Sequence, residues 1–275
     1  NHAKHGGAVF VNGAFDMQKL VVIGNQADEF GGGVYGGHDL KSGAEISELK
    51  GSLFQNNSAG YQGGGAFVFN TLMERDHFQE NKINIESSMS GGGALAASNV
   101  VTVTKTEFIN NSAPDGGAIA GLGGKIWASN SFFVDNHAGT TQTGAAFSLV
   151  NASPTTRVYL SHITIVDRAE NSAAAIKTGD GDIRLTNSII TNHALAVNNS
   201  NGRFQDQNNL YFNNKQLIEG DTVRSSGAII ADPMFEDVNA LNFHLRQGSA
   251  AIDAGLQVDI MDDIDNDKRP SGGAP

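Results

Sequence analysis

Residues 108–119 read Phe108-Ile109-Asn110-Asn111-Ser112-Ala113-Pro114-Asp115-Gly116-Gly117-Ala118-Ile119 and hold two signatures side by side. One is an apolar residue followed three positions later by Asn. The other is a glycine pair followed by a small and an apolar residue. Outward from this stretch the first recurs as Val22…Asn25, Phe54…Asn57, Phe78…Asn81, Phe133…Asn136 and Ile189…Asn192, with a weaker copy at Tyr211…Asn214. The second recurs at Gly6-Gly7-Ala8, Gly31-Gly32-Gly33, Gly63-Gly64-Gly65-Ala66 and Gly91-Gly92-Gly93-Ala94, then decays to Gly144-Ala145-Ala146-Phe147 and Ala173-Ala174-Ala175-Ile176. With Ile165 included, the apolar positions step by 32, 24, 30, 25, 32, 24 and 22 residues. Fixed motifs at variable spacing mean a constant structural unit with loops of different length.

Between the motifs lie short alternating runs such as Val100-Val101-Thr102-Val103-Thr104 and Ile183-Arg184-Leu185-Thr186. Period two marks strands, and no stretch sustains a helical period. One such unit cannot bury its apolar face alone, so neighbours must stack in register, strand on strand, about 4.8 Å apart. The sequence therefore predicts an all-β fold, a single-stranded right-handed parallel β-helix of about nine coils over residues 1–214, with 215–275 as last coils and C-terminal capping segment. Stacked in this way, Phe54, Phe78, Phe108 and Phe133 form an internal aromatic column. Asn57, Asn81, Asn111, Asn136 and Asn192 form an amide ladder at a turn. Replacing Asn111 by Ala is expected to cost on the order of 1 to 3 kcal/mol. At Ile165-Val166-Asp167-Arg168 an Arg stands where the ladder requires Asn. A guanidinium cannot enter a tight buried turn unpaired, so the ladder is expected to break there, with Arg168 swung outward toward Asp135, Asp167 or Glu170.

Composition agrees with a repeat fold and excludes several function classes. The chain of 275 residues has 34 Gly, 5 Pro and no Cys, which leaves out disulfides and thiolate metal sites. A net charge of −11 argues against nucleic acid or an anionic membrane surface as main partner. No run of 18 apolar residues is present, so membrane insertion of this segment is not expected. The opening Asn1-His2-Ala3-Lys4-His5 lacks signal-peptide features and reads as an excerpt of a longer exported chain.

On these motifs, residues 6 to about 192 resemble the repeats of the polymorphic outer membrane proteins, with their Gly-Gly-Ala-(Ile/Leu/Val) and Phe-x-x-Asn signatures. Asp232-Pro233-Met234-Phe235, Gly248 to Gly255 and Asp263 to Pro270 are similar to the C-terminal block of extracellular bacterial β-helix proteins of the pectin-lyase-like superfold. The resemblance implies a secreted or cell-surface bacterial protein and fixes architecture more firmly than activity.

Three function classes follow. The favoured one is a non-catalytic structural or adhesive segment that binds a glycan or a cell-surface protein through a lateral face. Candidate contact regions are residues 34–50, 82–90 and 137–144, and Trp127, Tyr35 and Tyr61 supply stacking rings. The second is a polysaccharide lyase, which needs a base and a cation beside the uronate carboxylate. Arg157, Lys177 and Arg184, on successive coils, are its candidates. The third is the passenger of an autotransporter. For metal, Asp259, Asp263, Asp265 and Asp267, with Asp262, offer oxygen ligands suited to calcium but lack the glycine and final Glu of an EF-hand. His77, His137, His162, His193 and His244 show no paired metal spacing.

Overall fold

The computed structural model describes residues 1–37, 45–85, 91–140, 142–149, 153–221 and 223–269. Among these residues there is no helix. The strands form a 21-stranded sheet, a 4-stranded sheet and a 2-stranded hairpin. Every strand pairing outside the hairpin Phe235–Asp237 with Asn242–Leu245 is parallel, joining each strand to its equivalent one repeat away.

Alternation sets the faces of each strand. In Leu95–Thr104, Val101 and Val103 are buried while Val100 is exposed. Inward residues then stack in columns that follow the backbone register. One runs Val22, Phe54, Phe78, Phe108, Phe133, Ile165, Ile190 and Tyr211, with the exposed Ile230 in register beyond it. Its rings lie face to face, with centroids 4.6 Å apart for Phe54 and Phe78, 5.3 Å for Phe78 and Phe108, and 4.8 Å for Phe108 and Phe133. A second column runs Met17, Leu49, Met73, Val103, Ala128, Leu160 and Leu185, then ends on the buried carboxylate Asp206. The Asp206 carboxyl accepts from Tyr211 Oη at 2.8 Å, Asn209 Nδ2 at 2.6 Å and Ser225 Oγ at 2.5 Å, which is what a buried polar group requires.

Two polar ladders hold the corners. In the first, the backbone N–H and Nδ2 of Asn25, Asn57, Asn81 and Asn111 each donate to Oδ1 of the next ladder Asn at 3.0 to 3.1 Å. The second Nδ2 hydrogen of each of Asn57, Asn81, Asn111 and Asn136 reaches back to the main-chain carbonyl of Val22, Phe54, Phe78 or Phe108 at 2.8 to 2.9 Å. At Asn57, Asn81 and Asn111 the amide uses both donors and its oxygen accepts twice, so the middle of this buried polar column carries no orphan. The second ladder lies two residues before each aromatic. Leu20 N–H donates to Ser52 Oγ, Ser52 N–H to Asp76 Oδ1, Asp76 N–H to Thr106 Oγ1 and Thr106 N–H to Ser131 Oγ.

The glycine pair has a divided role. Gly63 sits at φ +66°, a left-handed conformation that costs glycine little. A Cβ on Gly64 would lie 2.2 Å from the carbonyl oxygen of Gly93, so the repeats close to this distance only without a side chain.

At the repeat around Arg168 both ladders change. Ile163 takes the slot of Ser131, and Arg157–Lys177 runs as one 21-residue strand. Arg168 turns to Asp135, its N–H donating to Oδ1 at 2.7 Å and its Nε to Oδ2 at 2.5 Å. Beyond it the register corrects one sequence expectation. Ile190, not Ile189, pairs with Ile165, and Asn192 sits at φ +65° outside the ladder slot, which His193 fills before Asn214 resumes it. Two adjacent isoleucines and an Asn-His pair permit either register. Burying Ile190 completely and leaving Ile189 on the outer face decides between them.

The stack continues through Gln216–Glu219, Val223–Ser226 and Ile229–Ile230. The chain then turns back along the side of the stack. Its hairpin lays Phe243 edge-on against Phe132, centroids 5.2 Å apart.

Candidate functional site

The outer face of the strands at the second position of each repeat carries the densest arrangement of recognition chemistry. Register aligns Asp16, Glu48, Leu72, Thr102, Trp127, Tyr159, Arg184, Gln205 and Arg224 in one outward column. The Trp127 and Tyr159 rings stack at 5.8 Å with 13° between planes, and Arg184 places Cζ 5.8 Å from the Tyr159 ring centroid. Arg184 Nε donates to Gln205 Oε1 at 3.0 Å, which fixes the guanidinium over the ring. The flanking column is Lys125, Arg157, Asp182 and Arg203, in which Arg157 Nε and Asp182 Oδ2 lie 3.4 Å apart.

This strip is unusual for the molecule. The chain carries a net charge of −11, yet five cations, Lys125, Arg157, Arg184, Arg203 and Arg224, share the end of one face with Asp182. Toward the N-terminal repeats the same column is acidic, at Asp16 and Glu48. Its chemistry suits a flat ligand with an anionic group, stacked on the rings and paired by guanidinium.

The structure brings the candidate lyase residues only partly together. Arg157 and Arg184 share the strip, but Lys177 belongs to a different strand position, aligned with Ser148 and Asn198, and its Nζ pairs with Asp115 Oδ2 at 2.7 Å. Two cavities along the described residues, of about 1130 and 440 Å³, lack all three residues. The reason is local: the turn Gly179-Asp180-Gly181 separates Lys177 from the strand Asp182–Thr186 that carries Arg184.

The acidic run is likewise dispersed. Asp262 Oδ2 binds Lys105 Nζ at 2.7 Å, Asp263 Oδ1 accepts the backbone N–H groups of Asp265 and Asp267 at 2.9 and 2.8 Å, and Asp265 Oδ2 faces His244 at 3.2 Å. Among the described residues no group of three or more His, Asp or Glu side chains gathers as metal ligands. Of Asp259, Asp263, Asp265 and Asp267, Asp263 closes a turn on Asp265 and Asp267 and Asp265 faces His244. Of the contact regions, residues 38–44, 86–90 and 141 lie outside the described residues.

Tyr35 and Tyr61 join a separate outer cluster on the first repeats, Tyr35 stacked on Phe10 at 5.2 Å and Tyr61 6.3 Å from Phe30. The histidines also separate. His77 pairs with Glu107 at 2.8 Å and is raised, chiefly by that hydrogen bond. Burial drives His162 down to about 3. His193 is buried with Nδ1 3.3 Å from Asp167 Oδ2. Burial also pushes Asp167 up to about 8 and His193 down to about 3, so the pair is uncharged rather than ionic at neutral pH. The short distance taken alone would suggest a salt bridge, but a dry site favours the neutral forms.

Sequence reading missed Tyr159 and the second polar ladder. The ladder's signal was present as a polar residue two places before each apolar one, in Ser52-x-Phe54, Asp76-x-Phe78, Thr106-x-Phe108 and Ser131-x-Phe133. Tyr159 becomes visible only once register places it on Trp127.

Residues 105–122 match the family model of the Chlamydia polymorphic membrane protein repeat. This match covers the stretch in which the Phe-x-x-Asn and Gly-Gly-Ala-Ile signatures adjoin. No curated protein and no solved structure matches the chain significantly.

Proposed function

We propose that the chain is an exported bacterial surface segment, wound as a right-handed parallel β-helix, that binds an acidic glycan along its outer lateral strip without catalysis. The repeat match supports a bacterial outer-membrane or surface protein. The observation that carries the binding reading is the Trp127, Tyr159, Arg184 and Gln205 column with its flanking cations. Successive members stand one strand spacing apart, about 4.8 Å, close to the length of one pyranose unit. A linear polysaccharide lying along the stack would thus set one sugar against each repeat. Carboxylate or sulfate groups then meet Arg157, Arg184 and Arg203.

The test is calorimetric titration with alginate, pectate and heparin oligosaccharides, with a neutral glucan as control. Binding to an anionic polymer that falls at least tenfold in Trp127→Ala and in Arg184→Ala, and weakens with salt, supports the reading. Equal binding by both variants, or none to any polymer, overturns it. The same mixtures are read for the ultraviolet absorbance of unsaturated uronates, since a rise would replace binding by lyase chemistry.

A further inference from the structure

A column of corner residues stands in the left-handed conformation, among them Arg75 at φ 59°, Lys105 at 50°, Asn130 at 49°, His162 at 52°, Asn187 at 51° and Asn208 at 52°. Because these backbones turn the same way at each repeat, their side chains form a row up the side of the stack. The returning C-terminal segment lies along it. Asn208 Nδ2 donates to Ala254 O at 2.8 Å. Asn187 grips the main chain of one residue on both sides, Nδ2 donating to Leu256 O and Oδ1 accepting from Leu256 N–H, each at 2.7 Å. Asn130 Nδ2 donates to Asp262 O at 2.9 Å. Lys105 Nζ meets Asp262 Oδ2 at 2.7 Å and Asn266 Oδ1 at 2.8 Å, and Arg75 also bonds Asn266. The segment thus runs antiparallel to the direction of the repeats, read through its main chain by amides and through Asp262 by a nearly buried cation.

Two further features bear on how this clasp is made. Among the described residues the segment shares no strand pairing with the stack: Phe235–Asp237 pairs with Asn242–Leu245, and the bridge between Asp262 and Lys268 is internal. Its docking rests on side chains. The connection from the last repeat is short, from Ile230 to Phe235, and holds Met234 at φ 56°. A self-contained element docked by side chains and tethered by a short hinge can use the same contacts on another copy.

We propose that this corner row is a docking groove for the C-terminal strap, residues 254–266, and that the strap exchanges between two copies of the chain together with the hairpin Phe235–Leu245 that follows the hinge. The groove's specificity is for an extended peptide with an acidic side chain opposite Lys105, and the strap of a second copy meets that requirement by identity. Exchange would cross-link neighbouring molecules side by side and leave the outer strip of Trp127, Tyr159 and Arg184 uncovered.

The absence of Cys from the full sequence makes a clean test. A Cβ on Gly255 would lie 3.3 Å from the Asn187 side chain. Since Arg, Lys and His already occupy equivalent left-handed positions, the row tolerates a Cys at 187. The double variant Asn187→Cys with Gly255→Cys should form an internal disulfide, which confirms the docking geometry. The two single variants, mixed at high concentration and then oxidised, should give a disulfide-linked heterodimer in several-fold excess over either homodimer. Adding Asp262→Lys to the Gly255→Cys partner should abolish that excess. An internal disulfide in the double variant with no heterodimer excess in the mixture would overturn exchange. Failure of the double variant to form its disulfide, while circular dichroism remains that of the parent, would overturn the groove itself.

Discussion

The repeats from Asn25 to Asn136 and the repeat around Arg168 solve the same corner in different ways. In the regular repeats one amide per turn uses both donors and is accepted twice, and the backbone turns sharply beside it. Around Arg168 three features depart together: Asn becomes Arg, Ser becomes Ile163, and the glycine pair becomes alanines. There the corner opens into the continuous strand Arg157–Lys177, and a buried Asp167 and His193 face each other uncharged. The contrast shows that the ladder is a chain of mutual dependence. A single amide depends on the amides above and below it as well as on a main-chain carbonyl of the preceding repeat, so a break has to be absorbed by rebuilding the whole repeat.

The largest effect should come from breaking the ladder at its centre. Asn111→Ala removes the acceptor of both Asn81 donors and leaves Phe78 O and Asn136 Oδ1 short of a donor. The loss should reach about 3 to 5 kcal/mol, above the cost of one bond, because several buried groups are orphaned at once. Urea unfolding would check it, and a loss under about 1 kcal/mol would refute the mutual dependence. His193→Asn, which puts an amide back into the interrupted tier, should shift stability by less than half as much.

A similar contrast concerns the glycine pair. A Cβ on Gly93 would lie 2.3 Å from Gly117 O, so Gly93→Ala should cost about 2 to 3 kcal/mol through forced backbone shifts. At the decayed tier the chain already carries Ala145, buried, in the corresponding slot. Ala145→Gly should therefore change the melting temperature far less than Gly93→Ala.

These pairs explain how much was legible in the sequence. The Phe-x-x-Asn spacing was legible because the two slots have opposite chemistry and recur unbroken. Parallel pairing followed from it, since identical slots can align only between neighbouring repeats. The register beyond Ile165 was not legible, because Ile189-Ile190 and Asn192-His193 offer two equivalent readings and only burial separates them. The candidate site divides in the same manner. Trp127, Arg157 and Arg184 were visible as residue types, but loop lengths decide which residues share a face, so Tyr159 was missed and Lys177 misplaced. The strap escaped altogether: Asn130, Asn187 and Asn208 each stand three places before a column residue, but Arg75, Lys105 and His162 hold the equivalent slots, so residue type does not mark the row and only a shared backbone conformation does.

The second ladder contains its own irregular member, and pH separates it from the rest. Asp76 stands where the neighbours are Ser52 and Thr106, and burial pushes its carboxyl up to about 7. Its folded-state value thus lies above the ordinary 3.8. The stability it contributes is complete below about pH 4 and is lost as pH rises through 7. Asp76→Asn keeps the acceptor for Ser52 N–H and removes the titration. The variant should be more stable than the parent by about 1 to 3 kcal/mol at pH 8 and nearly equal to it at pH 4. Thermal melts at both values decide it, and a gain of the same size at pH 4 would mean that packing rather than charge distinguishes the two.

The smallest effect should come from the residue that marks the break. Arg168 pairs with Asp135 at a partly exposed site, where solvent reaches the guanidinium and two side chains must be ordered to make the contact. Arg168→Ala should then cost less than about 1 kcal/mol, and salt should narrow the difference. Arg168→Asn is more informative, because it restores the residue type of the ladder without restoring Ser at 163 or the glycines. If the repeat is absorbed as a unit, the Asn variant should be no more stable than the Ala variant. An Asn variant clearly more stable than the parent would mean that the ladder can be resumed one slot at a time, and that the open corner reflects Arg168 alone.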